Sequence, residues 1–132
     1  MTIEKETLML DIECWINYFL IKFRMLSTGQ TIYFEKFNSS TINRQNVLFI
    51  LNKYKIVTFN GNKYDMLVLE AACQGFSCEE LHKITQSIIV DNLHPWQVRK
   101  QYGIARLQVD HIDIIELTPL KASLKIYGGR MQ

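Results

Sequence analysis

Three carboxylates stand out by where the sequence puts them. Asp11 and Glu13 close the otherwise apolar run Thr7-Leu-Met-Leu-Asp-Ile-Glu13, and Asp65 ends the turn Asn60-Gly-Asn-Lys-Tyr-Asp65. Successive side chains of a strand point to opposite faces, so Asp11 and Glu13 share one face, about 6–7 Å apart along the chain. Two anions on one face of a hydrophobic strand repel each other and lose hydration, and a metal ion or a basic side chain normally compensates. Carboxylate oxygens are the ligands that Mg²⁺ and Mn²⁺ prefer, and Asp65 adds one if its strand neighbours the first. Plain structural explanations stand beside this one. An acid in the first turn of a helix is favoured by capping and by the helix dipole, and the strand pair could lie exposed at a strand end.

The surrounding pattern supplies elements to position these groups. Thr7 to Glu13 reads as a largely buried strand. Tyr18 to Leu26 and Thr31 to Phe37 read as two more, joined by a Ser27-Thr-Gly-Gln30 hairpin turn. Asn38 to Thr41 predicts a loop and helix N-cap, and Val47, Leu48, Leu51 and Tyr54 mark one side of a helix running to about Lys53. Ile56 to Phe59 is a short, near-continuously apolar strand, as suits a central position. A helix from Met66 to Gln74 follows the Asn-Gly turn and stops at Gly75. Ser77-Cys-Glu-Glu80 is a capping box for a helix whose stripe is Leu81, Ile84, Ile88 and Ile89. Pro95 opens a short helix closed by Gly103, Val109 to Leu117 reads as a fifth strand, and Leu120, Leu124 and Tyr127 mark a last helix. The sum is an α/β chain with a mixed sheet, its first three strands antiparallel and the later ones parallel, flanked by helices.

Composition bounds the rest. A chain of 132 residues, 48% apolar and 21% charged, fits one domain and makes a folded, soluble protein rather than a disordered one the expectation. Fifteen basic against thirteen acidic residues leave +2, less basic than a dedicated electrostatic nucleic-acid binder. Cys14, Cys73 and Cys78 form no CxxC pair and no even set, which suits idle thiols in a reducing compartment. The N-terminus lacks a signal peptide, and Trp15 to Phe23 carries Asn17 and Lys22 and is too short to span a bilayer. A cytoplasmic protein without membrane contact is the expectation. His82, His94 and His111 are too scattered for a zinc site. Asp113 suits a supporting or structural carboxylate, sharing a strand face with His111. Arg99, Lys100, Arg106, Lys121, Lys125 and Arg130, with Trp96 and Tyr102, could line a nucleic-acid groove or form a solvated helix face.

Leu-Asp11-Ile-Glu13, then two aromatic-rich strands, then Asn60-x-x-x-Tyr64-Asp65 about fifty residues on, resembles the first two motifs of the DEDD (DnaQ-like) 3′–5′ exonucleases. The spacing and the tyrosine before the aspartate look most like the proofreading domains of phage-type DNA polymerases. His111-Ile-Asp113-Ile-Ile-Glu116 and Leu124-Lys-Ile-Tyr-Gly128 resemble the segment between that family's second and third motifs, so the likeness runs from about Leu8 to Gly129. The resemblance implies a ribonuclease H-like fold and two-metal-ion hydrolysis at a single-stranded DNA 3′ end. Asp11 would then ligate both Mg²⁺ or Mn²⁺ ions, Glu13 one of them, and Asp65 the second through water. Asn60 and Tyr64 would position the terminal nucleotide or orient the carboxylates. A polymerase partner and, for a phage-encoded chain, the host cytoplasm follow from the same likeness.

The sequence departs from the family at one point. A third motif, Tyr-x-x-x-Asp or His-x-x-x-x-Asp, is missing: Tyr102 is followed four residues on by Arg106, and His111 five residues on by Glu116. The expectation is therefore a single exonuclease-like domain spanning residues 1–132, incomplete at its C-terminal end, either part of a longer enzyme or a short relative. Without a partner to orient the attacking water, the expected activity is weak or absent. The alternative is a catalytically dead nuclease-like binding protein that dimerises or grips a partner or a nucleic-acid end.

Overall fold

Alternation on two strands builds the core. In the computed structural model, which describes residues 5–38 and 40–117, β1 (Thr7–Trp15) buries Leu8, Leu10 and Ile12, and β2 (Tyr18–Met25) buries Phe19, Ile21 and Phe23. The strands pair antiparallel with Leu10 opposite Phe23 and Ile12 opposite Ile21, so one face of the sheet is apolar throughout. Each such side chain contributes about 1.5–3 kcal/mol when fully buried. A one-residue slip would turn the whole set to solvent, which fixes the register. Asp11 and Glu13 lie on the other face and are exposed.

β3 (Thr31–Phe37) adds antiparallel to β2 through a turn in which Gly29 takes φ +77°. α1 (Arg44–Lys53) carries the chain across to β4 (Lys55–Thr58), which runs parallel to β1 over Thr7–Met9. β5 (His111–Asp113) then adds parallel to β4, giving the order β3-β2-β1-β4-β5. The expected mixed sheet, three antiparallel strands followed by parallel ones, is what forms. α2 (Asp65–Cys73) and α3 (Cys78–Ile89) pack on β1, and α4 (Pro95–Tyr102) packs on α3. No helix among the described residues is long and apolar enough to cross a membrane.

Several details differ from the sequence reading for local reasons. The cap of α1 is Asn43, whose side chain accepts from the Asn46 amide at 3.1 Å, and not a residue of Asn38 to Thr41. Within that stretch Ser40 is spent on the preceding loop: its hydroxyl accepts from the Phe37 amide and its carbonyl from the Lys36 ammonium. The fifth strand covers only three residues and gives way to a 3₁₀ turn, Ile114–Leu117. β4 ends at Thr58, so the chain beyond Asp113 finds no further edge, and the Asp113 carboxylate takes the Ile115 amide instead. Ile89 is exposed, one helical step round from the half-buried Ile88. The helix expected at Leu120 to Tyr127, with Lys121, Lys125 and Arg130, lies outside the described residues.

All nine residues of α2 are buried, including Glu70 at 2% exposure. Arg99 of α4 meets that carboxylate at 2.6 Å, and its second oxygen accepts from the Leu107 amide at 2.8 Å. Arg99 therefore belongs to an internal ion pair and not to a basic outer face. Tyr102 likewise turns inward, its hydroxyl 2.7 Å from that of Ser87. Removing one member of a buried pair leaves an uncompensated charge. Arg99→Met is expected to cost about 3–5 kcal/mol in urea unfolding, and Arg99→Met with Glu70→Leu to recover most of it. A single-variant loss within experimental error would show that the pair is not a structural tie.

Candidate functional site

The strand order sets β1 beside β4, and the two pair only as far as Met9 opposite Val57. β1 runs on to Trp15 paired with β2 alone, while β4 stops at Thr58 and turns away through residues 59–64 into α2. The residues after Met9 on β1 thus come up beside the first turn of α2. Asp11 and Asp65 meet there.

The turn is built almost entirely on backbone groups. Asn60 adopts φ +65°, a left-handed conformation that asparagine tolerates better than most residues. Its amide donates to Asp113 Oδ1 at 2.7 Å, and the Asn62 amide donates to Oδ2 at 3.0 Å. The Gly61 amide donates to the Thr58 hydroxyl at 3.1 Å, which stands 2.6 Å from His111 Nε2. Gly61 is pressed so closely on Thr58 that any Cβ would overlap its side chain, so glycine is required there for space.

Asp65 takes the first helical position, with Tyr64 as N-cap, and is 8% exposed. Its carboxyl is pushed up to about 7, first by burial, then by the charge of Asp11, and to a smaller degree by that of Asp113. Amide hydrogen bonds from its own backbone and from Ile12 act the other way. The Ile12 amide also donates to Asp11 Oδ1 at 3.1 Å. Two carboxylates that share an edge amide and repel each other form an anionic notch at the end of the sheet.

The other site residues fall outside this notch or play other parts. Glu13 is exposed on the same sheet face as Asp11, and its charge acts on Tyr18. Among the described residues no group of three His, Cys, Asp or Glu side chains is gathered closely enough to hold a metal ion. Asp11 and Asp65 are thus brought together, and Glu13 is not drawn into a three-ligand cluster with them. The half-buried Tyr64 places its hydroxyl 3.3 Å from that of Thr85 on α3. Thr85 donates its own proton to the Leu81 carbonyl, so Tyr64 is the donor between them. Burial raises the Tyr64 hydroxyl well above the usual phenol range. Asn60 serves the turn through φ and its amide. Trp15 is 62% exposed rather than packed in the core.

Asp113 has the structural part that the strand reading allowed for it, through the amides of Asn60, Asn62 and Ile115, of which only Ile115 is near enough in sequence to be predicted as its partner. Thr58 and Thr85 have no signal in the sequence, because a buried threonine carries no local mark of its partner, whether in the apolar run of β4 or in the polar stretch His82-Lys-Ile-Thr-Gln86. The carboxyl oxygens of Asp11 and Asp65 are hard donors of the kind a divalent cation prefers, and the charge of Asp11 is one cause of the raised Asp65. Neither protein-family models nor curated proteins give a match to the chain.

The raised Asp65 fixes the sign of a pH dependence. Its folded value of about 7 lies above the ordinary 3.8, so between those values the native state holds more protons than the unfolded chain. Stability therefore falls as pH rises from about 4 to about 7 and levels off above. Urea unfolding across that range is expected to show this slope, and Asp65→Asn to flatten it and gain stability at pH 8. An unchanged slope in Asp65→Asn would assign the dependence to other groups.

Proposed function

We propose that the chain is a 3′–5′ exonuclease-type module with a ribonuclease H-like fold, acting weakly on single-stranded DNA ends by divalent-metal-assisted phosphodiester hydrolysis. One observation carries this reading: Asp11 from β1 and Asp65 from α2 converge at the end of the sheet, where burial first and the charge of Asp11 second lift Asp65 to about 7. An Mg²⁺ or Mn²⁺ ion held by these two groups would offset both the burial of the Asp65 charge and its repulsion by Asp11. Such an ion, when bound, stabilises phosphate charge and acidifies water.

The chain's own residues define the rest of the work. Thr85 fixes the Tyr64 hydroxyl, which holds the start of α2, and with it Asp65, against α3. Asp113 holds the turn that delivers Asp65. No residue of the sequence takes the part of the third family motif, the general base for the attacking water. General acid–base help is typically worth ~10²–10⁴ in rate, so a slow reaction is the expected consequence.

The second reading is a nuclease-like binding protein without catalysis. It is favoured by the lack of a three-carboxylate group among the described residues and by Tyr33 and Phe37, each more than half exposed on the open sheet face. Its partner would be a second copy, a polymerase or a nucleic-acid end. Incubating the chain with Mn²⁺ and 3′-labelled single-stranded DNA separates the two. Slow shortening that disappears in Asp11→Ala and in Asp65→Asn is expected. A stable dimer by light scattering, with no metal-dependent shortening, would replace the enzyme reading with the binding one.

A further inference from the structure

A groove of about 540 Å³ lies between the end of β3, the start of α1 and the C-terminal end of α2, sharing no residue with the Asp11–Asp65 notch. Ile42 and Ala72 give it apolar walls, and Lys36, Thr41 and Arg44 give it polar ones. Among the described residues no acidic side chain lines it. Its unusual member is Lys36, which alternation on β3 turns towards the covered face of the sheet and which is only 5% exposed. A buried ammonium is ordinarily matched by an anion. Among the described residues Lys36 has no carboxylate within ion-pair distance, and its ammonium donates to the Ser40 carbonyl. Glu80 senses its charge weakly, but that carboxylate is exposed and committed to the Ser77 amide at 2.9 Å. Arg44, exposed at the first position of α1, likewise has no ion-pair partner among the described residues. Its charge falls on the neighbouring Cys73 thiol, which burial nevertheless pushes up to about 11.

Two cations without anions, one of them inside the fold, frame a groove of the size that holds a small ligand. Arginine presents a planar fork to phosphate oxygens and lysine a compact charge, a combination suited to a phosphate group and poorly suited to a neutral one. We propose that this groove is a phosphate-binding site, in which Lys36 and Arg44 hold a phosphate borne by a nucleotide or by a nucleic-acid backbone. The Thr41 hydroxyl on the same rim supplies a further donor. The site does not depend on the exonuclease reading, and it would serve the binding protein equally.

The full chain is titrated with orthophosphate, a deoxynucleoside 5′-monophosphate and a short single-stranded oligonucleotide lacking terminal phosphates, and backbone amide shifts are followed. At least one of the three is expected to saturate and to move amides of residues 40–46 and 72–75. Arg44→Gln, a change on an exposed side chain, is expected to weaken that binding by at least about tenfold, as for loss of one charged hydrogen-bonding group. Lys63→Gln, on an exposed residue of the Asn60–Asp65 turn, is expected to leave it unchanged. Lys36→Met is expected to abolish binding where it folds, and Arg44→Gln decides the matter where it does not. Saturation by orthophosphate or the monophosphate identifies a small-molecule site, and saturation by the oligonucleotide alone identifies a backbone phosphate. No saturation by any of the three, or unaltered affinity in Arg44→Gln, overturns the proposal.

Discussion

The carboxylate of Asp113 is the point on which the site depends. It accepts the amides of Asn60, Asn62 and Ile115, and so joins the end of β5 to the turn that follows β4. Charge-assisted bonds of this kind are roughly twice as strong as neutral ones, and three of them can hold a left-handed residue such as Asn60 in place. The turn in its turn decides where α2 begins. Were it to relax, Asp65 would shift along or around the helix axis and leave the edge amide of Ile12. Asp113 also acts against the residue it positions, because its charge helps raise Asp65. The same anion thus builds the notch and makes ionisation within it harder.

The rigidity of α2 has a second source. A helix buried on every side has no polar stripe to set its rotation, so its one internal charge does that instead. Glu70 is fixed by Arg99 from α4 and by the Leu107 amide from the segment leading to β5. Rotation by one residue would strand a carboxylate among apolar side chains. The helix is therefore held at its start by the Tyr64–Thr85 contact and in its middle by Glu70, with Asp65 immediately beside the first of these. Buried ion pairs are weak sources of net stability, and specifying one rotational setting is the better account of this one.

These ties explain which parts of the molecule were readable in the sequence. The strands β1 to β3 were legible because alternation and a glycine turn are local signals, and α3 because Ser77 and Glu80 form its cap within four residues. The meeting of Asp11 and Asp65 was legible only as a condition, that the first and fourth strands be neighbours. The strand order meets that condition. The existence of β5 was legible but its shortness was not, because its length is set by where β4 ends and not by its own residues. The same holds for Arg99: nothing in Gln97-Val-Arg-Lys100 distinguishes an arginine directed at a buried glutamate from one in solvent. Inward-facing Lys36 broke the alternation rule in the same silent way, its partner lying four residues on in a loop.

A raised carboxyl at a helix start is unusual enough to bear on function. Acids there are ordinarily stabilised as anions by the helix dipole, so a shift to about 7 means that burial and neighbouring charge outweigh the dipole. A core optimised for stability alone would place an uncharged residue at this first helical position, without the repulsion. Perturbed carboxylates of this kind cluster at sites that bind or react. Asp11 adds to the case, because it is exposed and could turn to solvent, yet its oxygen stays on the Ile12 amide beside Asp65. Two anions kept close where one could withdraw cost stability that a cation would restore. On the exonuclease-type function proposed above, that cost is the reason to keep the two carboxylates together.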